Sequence, residues 1–318
     1  MPLESFDVAE PRTPEEHAVK GLLLLLPVVL LCSAITRRAG ADTYPRADLL
    51  VEPSQLVQPD VAQQFVILDA RAQKSYQQEH IPAARWVDHT AWAGAFGDGQ
   101  DAEGWSKRIG ESGIAADSTV VIYDDKGMKD AARIWWILRY WGVKDVRLLN
   151  GGWKTWSAER FPTTNETPGP VATTEFKATA HAERLANKQQ MLDLLHDSGV
   201  QILDTRSEKE FCGIDAQKNK RAGNIPGAKH LEWSDLIDQQ TDRFKKSDEL
   251  LALFEKAGIS LAQPTACHCQ SGGRASVMAF GLELMGAKDV RNYYLGWSEW
   301  GNVTDTPVVV ADASADEK

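Results

Sequence analysis

A cysteine at a glycine-rich turn is the residue of this chain best suited to covalent chemistry. The turn consists of Cys269, Gln270, Ser271, Gly272, Gly273 and Arg274. The apolar run before it is typical of the end of a buried strand, and helical spacing follows from Ala275. A strand, a tight turn and a helix N-terminus bring several backbone N–H groups to one point, where they form an anion site. The helix dipole, these N–H groups and Arg274 favour the thiolate of Cys269, so the sequence predicts a sulfur nucleophile.

The neighbours of Cys269 on the strand allow other interpretations. A zinc site built from Cys267, His268 and Cys269 is disfavoured, because adjacent strand residues point to opposite sides and the sequence has no second Cys/His cluster. We therefore predict no metal and no cofactor. Cys267 is expected on the same side of the strand as Cys269. It is either a small buried hydrophobic residue, which we favour, or a redox partner whose oxidation links it to Cys269 and stops the reaction.

Composition sets the class of protein and excludes some partners. The chain has 318 residues, of which 43% are hydrophobic and 25% charged, and this is typical of two globular domains. A formal net charge of −10 argues against nucleic acid as a partner, since phosphate binding needs a basic surface. It does not argue against a small anionic substrate, because such a molecule responds to the field of one pocket.

The N-terminus resembles an export signal. An apolar run over 22–35, interrupted by Pro27, ends near Ala39-Gly40-Ala41, a pattern that fits cleavage before Asp42. The acidic residues that precede the run do not fit a signal peptide, but translation starting at Val19 would remove them. We interpret 1–41 as a signal peptide with an N-terminal extension and expect a periplasmic or exported protein. A cytoplasmic protein is the alternative, and an uncleaved signal segment would be the chain's only link to a membrane.

The rest of the chain contains an internal duplication. The run Val66–Arg71 recurs as Gln201–Arg206, and Trp141–Arg147 recurs as Met285–Arg291. Each copy alternates strand-like and helical runs, with strands predicted over 66–68, 120–123, 202–204 and 265–267 and helices over 130–140 and 275–285. This alternation predicts an α/β protein with two tandem domains, each a mostly parallel sheet with helices on both faces.

The duplication also gives the domain limits. We place the first domain at 42–160, a surface connector rich in Pro, Thr and Gly at 161–176, the second domain at 177–310 and an acidic tail at 311–318.

The first copy lacks the cysteine. An ungapped alignment sets Asp125 against Cys269, whereas a turn one residue longer in the first copy would set Asp124 there. Neither carboxylate can replace a thiolate, so the first domain is predicted to be non-catalytic. The preferred role for both residues is to cap the following helix.

Taken together, these motifs resemble the two-domain rhodaneses, a family of sulfurtransferases, over about residues 50–310. The resemblance rests on the paired domains, Asp-x-Arg after the first strand, Ile-Pro-x-Ala, the Cys-Gln-Ser-Gly-Gly-Arg loop and the Gly-Trp-x-x-Trp ending. It implies that Cys269 carries a persulfide, that Gln270 to Arg274 form the loop that binds the substrate, and that sulfur passes from an anionic donor to cyanide or a thiol. Trp297, Tyr294 and Trp233 are candidates to line the pocket, although large aromatic residues are usually core. Arg206 either reaches the pocket or forms an internal salt bridge at the strand end.

The resemblance leaves the donor open. Relatives that use 3-mercaptopyruvate have an arginine four residues beyond the Asp-x-Arg arginine, where this chain has Glu210. A carboxylate there is poor for binding a keto acid, so thiosulfate is the favoured donor. A persulfide carrier that serves a partner protein is an alternative with the same cysteine chemistry. A cysteine phosphatase is disfavoured, because its loop is Cys-x5-Arg and Cys269 and Arg274 enclose only four residues.

Overall fold

The computed structural model of the chain describes residues 43–197 and 199–310. The first half contains a five-stranded sheet. Its strands are β1 (Leu50–Val51), β2 (Phe65–Asp69), β3 (Arg85–Trp86), β4 (Thr119–Tyr123) and β5 (Asp145–Leu149). Its helices are α1 (Pro53–Leu56), α2 (Pro59–Ala62), α3 (Gln73–Gln78), α4 (His89–Phe96), α5 (Ala102–Glu111), α6 (Lys129–Tyr140) and α7 (Gly152–Ala158). The strand order is β1-β5-β4-β2-β3, and every neighbouring pair is parallel.

The second half repeats this plan with a four-stranded sheet. Its strands are β6 (Gln201–Asp204), β7 (Lys229–His230), β8 (Thr265–His268) and β9 (Val290–Tyr293). Its helices are α8 (Lys188–Leu194), α9 (Glu208–Phe211), α10 (Ser247–Lys256), α11 (Gly273–Leu284) and α12 (Gly296–Trp300). The strand order is β7-β6-β8-β9, again parallel throughout, so the predicted tandem α/β architecture is confirmed.

Both sheets bury both faces, which is why their strands are almost continuously apolar. Along β4, Val120 and Ile122 point into a large core that the two domains share, whereas Val121 and Tyr123 point into a separate core behind the first sheet. The second sheet has its own core behind it, which contains Ala266 of β8. The alternation follows from the two-residue period of a strand.

The two domains meet along helices α6 and α11. Trp135 of α6 and Phe280 of α11 are fully buried and pack edge to face, with ring centroids 4.9 Å apart. A polar contact at the edge of the interface joins the end of β5 to the loop before α10. Asn150, which directly follows β5, accepts a hydrogen bond from the N–H of Phe244 in that loop at 3.0 Å. The domains therefore form one compact unit with a common core.

The predicted elements agree with the structure to within one or two residues. The largest difference is α11, which begins at Gly273 rather than at Ala275 and ends at Leu284 rather than at Met285. The prediction assigned both glycines to the turn, but only Gly272 adopts the left-handed conformation, with a φ of 83°. Gly273 and Arg274 already belong to the first helical turn.

The two ends of the chain lie outside the described residues. The predicted signal peptide at 1–41 and the acidic tail at 311–318 belong there. None of the helices within the described residues combines the length and the apolar character needed to cross a membrane.

Candidate active site

Cys269 follows directly after β8, a central strand of the second sheet. Its side chain is only 2% exposed and lies at the floor of a cavity of about 360 Å³. Cys269 and Cys267 both face the core shared by the two domains, while Ala266, the residue before Cys267, faces the opposite side. A parallel strand ends here against the N-terminus of α11, so the thiol lies where backbone N–H groups converge.

The two glycines of the loop allow side chains from outside the loop to pack closely against its backbone. A Cβ atom on Gly272 would overlap the ring of Tyr294, and its positive φ also disfavours any other residue. A Cβ atom on Gly273 would overlap the guanidinium of Arg133, which comes from α6 of the first domain. The loop is therefore packed between an aromatic ring and a cation.

Asp124 is the counterpart of Cys269 in the first domain. The Trp153 N–H donates to the Asp124 carbonyl at 2.8 Å, and the Trp297 N–H donates to the Cys269 carbonyl at the same distance. Met128 and Gly272, both left-handed, then precede α6 and α11. The first loop is thus one residue longer than the second, which decides between Asp124 and Asp125.

The carboxylate of Asp124 shows what this loop binds. Its Oδ1 accepts hydrogen bonds from the N–H groups of Lys126 and Met128 at 2.9 and 3.0 Å, and its Oδ2 accepts from Asp130 and Ala131 at 2.7 Å each. Burial raises the pKa of Asp124 to about 6, while these hydrogen bonds act in the opposite direction. At neutral pH the first domain therefore holds an anion of its own in a cradle of four amides.

By alignment with the first domain, the loop of the second domain is expected to form a similar cradle. The N–H groups that correspond to the four donors belong to Ser271, Gly272, Arg274 and Ala275. The side chain of cysteine is shorter than that of aspartate and, as a thiol, carries no charge. It therefore leaves room in this cradle for an anionic atom bound to its sulfur. The arrangement suits a thiolate or a persulfide.

The cavity above Cys269 is lined from both domains. The lining residues are Lys129, Arg133, Glu210, Gln217, Trp233, Cys269, Gln270, Ser271, Gly273 and Arg274. Three cationic side chains and one carboxylate give the lining a formal charge of +2. Such a pocket attracts small anions even though the whole chain is acidic.

Arg274 lies in the cavity as the sequence predicts, but it has a carboxylate partner. Its Nη1 and Nη2 atoms donate to the two carboxylate oxygens of Glu210 at 2.6 and 2.9 Å. Burial alone would raise the pKa of Glu210, yet the bonds from Arg274 hold it below its usual range. Burial alone would likewise lower the pKa of Arg274, and Glu210 more than offsets this effect. Both groups are charged at neutral pH.

The other predicted loop residues differ in their surroundings. Gln270 exchanges two hydrogen bonds with Asn219, at 2.9 and 3.1 Å, which attach the loop to the segment that follows α9. Ser271 is exposed at the rim. Trp233 lines the cavity, whereas Tyr294 is buried beneath Gly272 and does not.

Two predicted pocket residues lie elsewhere, which corrects the sequence analysis. Arg206 is 1% exposed and forms a buried ion pair with Asp204, with Nη2 and Oδ2 2.6 Å apart. The internal salt bridge is thus the correct alternative. Trp297 is fully buried behind the sheet, where its indole N–H donates to the Arg221 carbonyl at 3.0 Å and its ring packs under Arg206. Both residues support the strand end rather than the cavity.

Cys267 is a free, fully buried thiol. Burial raises its pKa above the ordinary range, and the neighbouring Cys269 raises it further. This environment keeps Cys267 protonated, so it is a poor nucleophile. Its role as a redox partner of Cys269 stays a prediction.

Sequence reasoning missed two residues that the first domain contributes to the cavity. Lys129 and Arg133 lie one turn apart on α6 and both reach the cavity. Their spacing is visible in the sequence, but the packing of α6 against α11 is not. No cluster of three or more potential metal ligands occurs within residues 43–197 and 199–310.

Comparison with known proteins assigns the family. The model of the rhodanese-like domain matches this chain twice, over residues 52–159 and 187–302. The chain belongs to the rhodanese family. A thiosulfate sulfurtransferase of Corynebacterium glutamicum is 35% identical over 73% of this chain and 80% of its own length. The sulfur carrier protein TtuD of Thermus thermophilus is 33% identical over 73% of this chain and 86% of its own length.

A solved structure of the family agrees with the fold. The crystal structure of YnjE superposes with a TM-score of 0.76 at 28% identity, covering 85% of this chain and 70% of that one. Together with the curated relatives, membership in the rhodanese family supports sulfurtransferase activity in general.

Proposed function

We propose that this protein transfers a sulfane sulfur from thiosulfate to cyanide or a thiol acceptor through a persulfide on Cys269. The observation that carries the proposal is the position of Cys269. It lines a cationic cavity and occupies the position equivalent to Asp124, which in the first domain accepts hydrogen bonds from four backbone N–H groups. A cradle that holds a carboxylate suits the negative charge of a persulfide.

The reaction proceeds by two displacements. The Cys269 thiolate attacks the outer sulfur of thiosulfate, a new S–S bond forms, and the bond between the two sulfur atoms of the donor breaks to release sulfite. The acceptor, as cyanide or thiolate, then attacks the terminal sulfur of the persulfide. Thiocyanate or the acceptor persulfide leaves, and the Cys269 thiolate is regenerated. The amides of the loop stabilise the terminal sulfur while it carries the charge.

Glu210 favours thiosulfate over 3-mercaptopyruvate as donor. Its carboxylate lies in the cavity and is 4% exposed. It engages Arg274, which would otherwise be available for the carboxylate of a keto acid.

Substitution of Cys269 tests the proposal. Cys269→Ser removes the nucleophile, and we expect thiosulfate:cyanide activity to fall by at least about a thousandfold. The matched control is Cys212→Ser, because Cys212 is a partly buried free thiol that does not line the cavity and should be dispensable. Thermal unfolding of both variants checks that the fold is intact. Substantial activity in a folded Cys269→Ser protein contradicts the proposal.

A persulfide carrier is the second candidate, favoured by the similarity to the sulfur carrier protein TtuD. Steady-state assays with thiosulfate and 3-mercaptopyruvate as donors, each with cyanide and a dithiol as acceptors, separate the candidates. A thiosulfate enzyme turns over many times with thiosulfate. A carrier gains the mass of one sulfur atom on the Cys269 peptide but turns over slowly with either small donor.

Export from the cytoplasm is also a proposal, since it depends on residues outside the described ranges. Sequencing the N-terminus of the secreted protein tests it. A mature chain that begins near Asp42 is expected, and retention of the full chain inside the cell contradicts it.

A further inference from the structure

We infer that Arg133 of the first domain, assisted by Lys129, binds the anionic end of the sulfur donor, although the nucleophile belongs to the second domain. The inference rests on the proposed function and names the residues that recognise the donor. It begins from the charge balance of the cavity, in which Arg274 is the obvious cation but is already paired.

Glu210 takes up the positive charge of Arg274. The pair is bidentate, and the Ser207 hydroxyl and backbone N–H fix Glu210 from the other side by donating to its Oε2 at 2.9 and 3.2 Å. A guanidinium bound in this way keeps little net attraction for a third anion. The loop arginine therefore positions its own loop and contributes little charge to donor binding.

Arg133 has no such carboxylate. Its recorded polar contact is with the phenol of Tyr294, to which Nη1 donates at 3.2 Å, and its guanidinium lies 5.7 Å from the centre of the same ring. Within residues 43–197 and 199–310, no carboxylate forms an ion pair with Arg133. A phenol leaves the positive charge of Arg133 uncompensated.

The position of Arg133 is fixed beside the reactive loop. Its guanidinium occupies the space that a side chain on Gly273 would need. Tyr294, which supports it, is buried and stacks on Trp136 at 5.2 Å between ring centroids. The cation is thus held against the loop by a rigid aromatic group, and little conformational entropy is lost when an anion binds.

Lys129 adds a second charge on the same face of α6, four residues earlier. Its Nζ atom lies 3.9 Å from Oδ1 of Asp130. The other oxygen of this carboxylate, Oδ2, lies 3.4 Å from Nε2 of His89 and 3.6 Å from Nζ of Lys126. Lys129 therefore shares a single negative charge with two other groups, so part of its charge remains available to the cavity.

This arrangement matches the shape of a sulfonate-bearing donor. The outer sulfur of thiosulfate must reach Cys269, so its oxygen atoms lie farther out in the cavity, whose lining includes Lys129 and Arg133 of α6. The planar fork of a guanidinium can donate two hydrogen bonds to two such oxygens. The first domain, which lacks a nucleophile, then supplies recognition of the donor.

Removal of the charge tests the inference. In Arg133→Gln we expect the KM for thiosulfate to rise about tenfold while the KM for cyanide changes little, since one unit charge near the donor is lost. Arg133→Lys keeps the charge without the fork and should recover part of the affinity. The control is Lys107→Gln in the same domain, whose side chain is 78% exposed and outside the cavity.

A second measurement does not depend on thiosulfate. Iodoacetate and iodoacetamide alkylate a cysteine by the same reaction but differ in charge, so the ratio of their rates on the Cys269 peptide reports the local potential. We expect Arg133→Gln to lower this ratio several-fold and Lys107→Gln to leave it unchanged.

The two measurements separate failure of the inference from failure of the proposed function. An unchanged KM and an unchanged alkylation ratio in a folded Arg133→Gln protein overturn the inference and leave the proposed reaction intact. A reduced ratio in a protein whose wild type does not use thiosulfate supports the anion site and overturns the proposed donor.

Discussion

Cys269 and Asp124 occupy one position in two copies of the same turn, and the residue type there decides what the turn can do. Asp124 fills its four-amide cradle with its own carboxylate. Cys269 leaves the corresponding cradle open for an atom delivered by a substrate. The position of Cys269 between a strand and a helix N-terminus could be predicted from its glycine-rich loop. The choice between Asp124 and Asp125 could not, because a one-residue difference in loop length is invisible without the backbone.

The residues around the strand end show where the sequence left two alternatives open and the structure favours one of them. Arg206 has the charge and Trp297 the ring expected of a substrate pocket, yet each stabilises the other behind the sheet. Arg71 and Trp153 repeat this stacking in the first domain, with the guanidinium 3.8 Å from the ring centre. Because the first domain has the same arginine–tryptophan contact but no cysteine in its loop, we conclude that this contact stabilises the fold.

His268, the residue before Cys269, should make stability depend on pH. It is fully buried, and burial lowers its pKa from 6.5 to about 4, although Asp204 nearby acts in the opposite direction. Because the unfolded chain binds this proton first, the contribution of His268 to the free energy of unfolding falls as the pH is lowered from 6.5 to 4, whereas Asp124, with its raised pKa, contributes in the opposite direction. The expected loss is up to about 3 kcal/mol.

Substitution by the residue found in the other domain tests this effect. Tyr123 occupies the position of His268 in the first domain, so His268→Tyr should fold and should flatten the pH profile of urea unfolding between 6.5 and 4. His196→Gln is the control, since His196 is exposed. A profile in His268→Tyr as steep as that of the wild type contradicts the assignment.

At the scale of elements, the structure depends on how β8 turns into α11. The apolar run and the helical spacing predicted both elements. They did not predict that α11 starts at Gly273, because glycine has a low helix propensity and does not indicate the first residue of a helix. The early start matters, since it brings the N–H groups of Arg274 and Ala275 into the cradle.

Gly272 should be the least replaceable residue of this turn. Gly272→Ala combines a positive φ of 83° with overlap against the ring of Tyr294, and we expect a loss of about 2 kcal/mol or more in stability, together with reduced activity. The control is Gly227→Ala, at a φ of 77° with nothing within 4 Å of the added atom. Urea unfolding should show a smaller loss for Gly227→Ala; equal losses would show that Tyr294 does not constrain the loop.

At the scale of the whole molecule, the duplication gave the architecture but not the interface. The repeats predicted two sheets in tandem, and the parallel strand order confirms them. Nothing in a repeat indicates which helices of two copies face each other. The apolar character of α6 and α11 is compatible with burial against either sheet or against one another. The contribution of Lys129 and Arg133 to the cavity follows from the interface and could not be predicted before it.

The shared core should make the two domains unfold together. Phe280→Ala removes a fully buried ring that packs on Trp135 across the interface, and we expect a loss of about 3–5 kcal/mol. Phe161→Ala, on the far side of the first sheet, is the comparison, because Phe161 is only partly buried and should cost less. Calorimetry should show one transition for the wild type and for both variants. Two separate transitions in the wild type would show that the domains are energetically independent.

The carboxylate of Asp124 also limits how much sulfur the protein can carry. Two loops of the same design exist in each chain, but one of them is permanently occupied by a group that is covalently part of it. Under the proposed chemistry, the capacity of a preparation equals its number of chains and not its number of domains. The duplicated domain therefore adds surface and charge around a single cysteine that can carry sulfur.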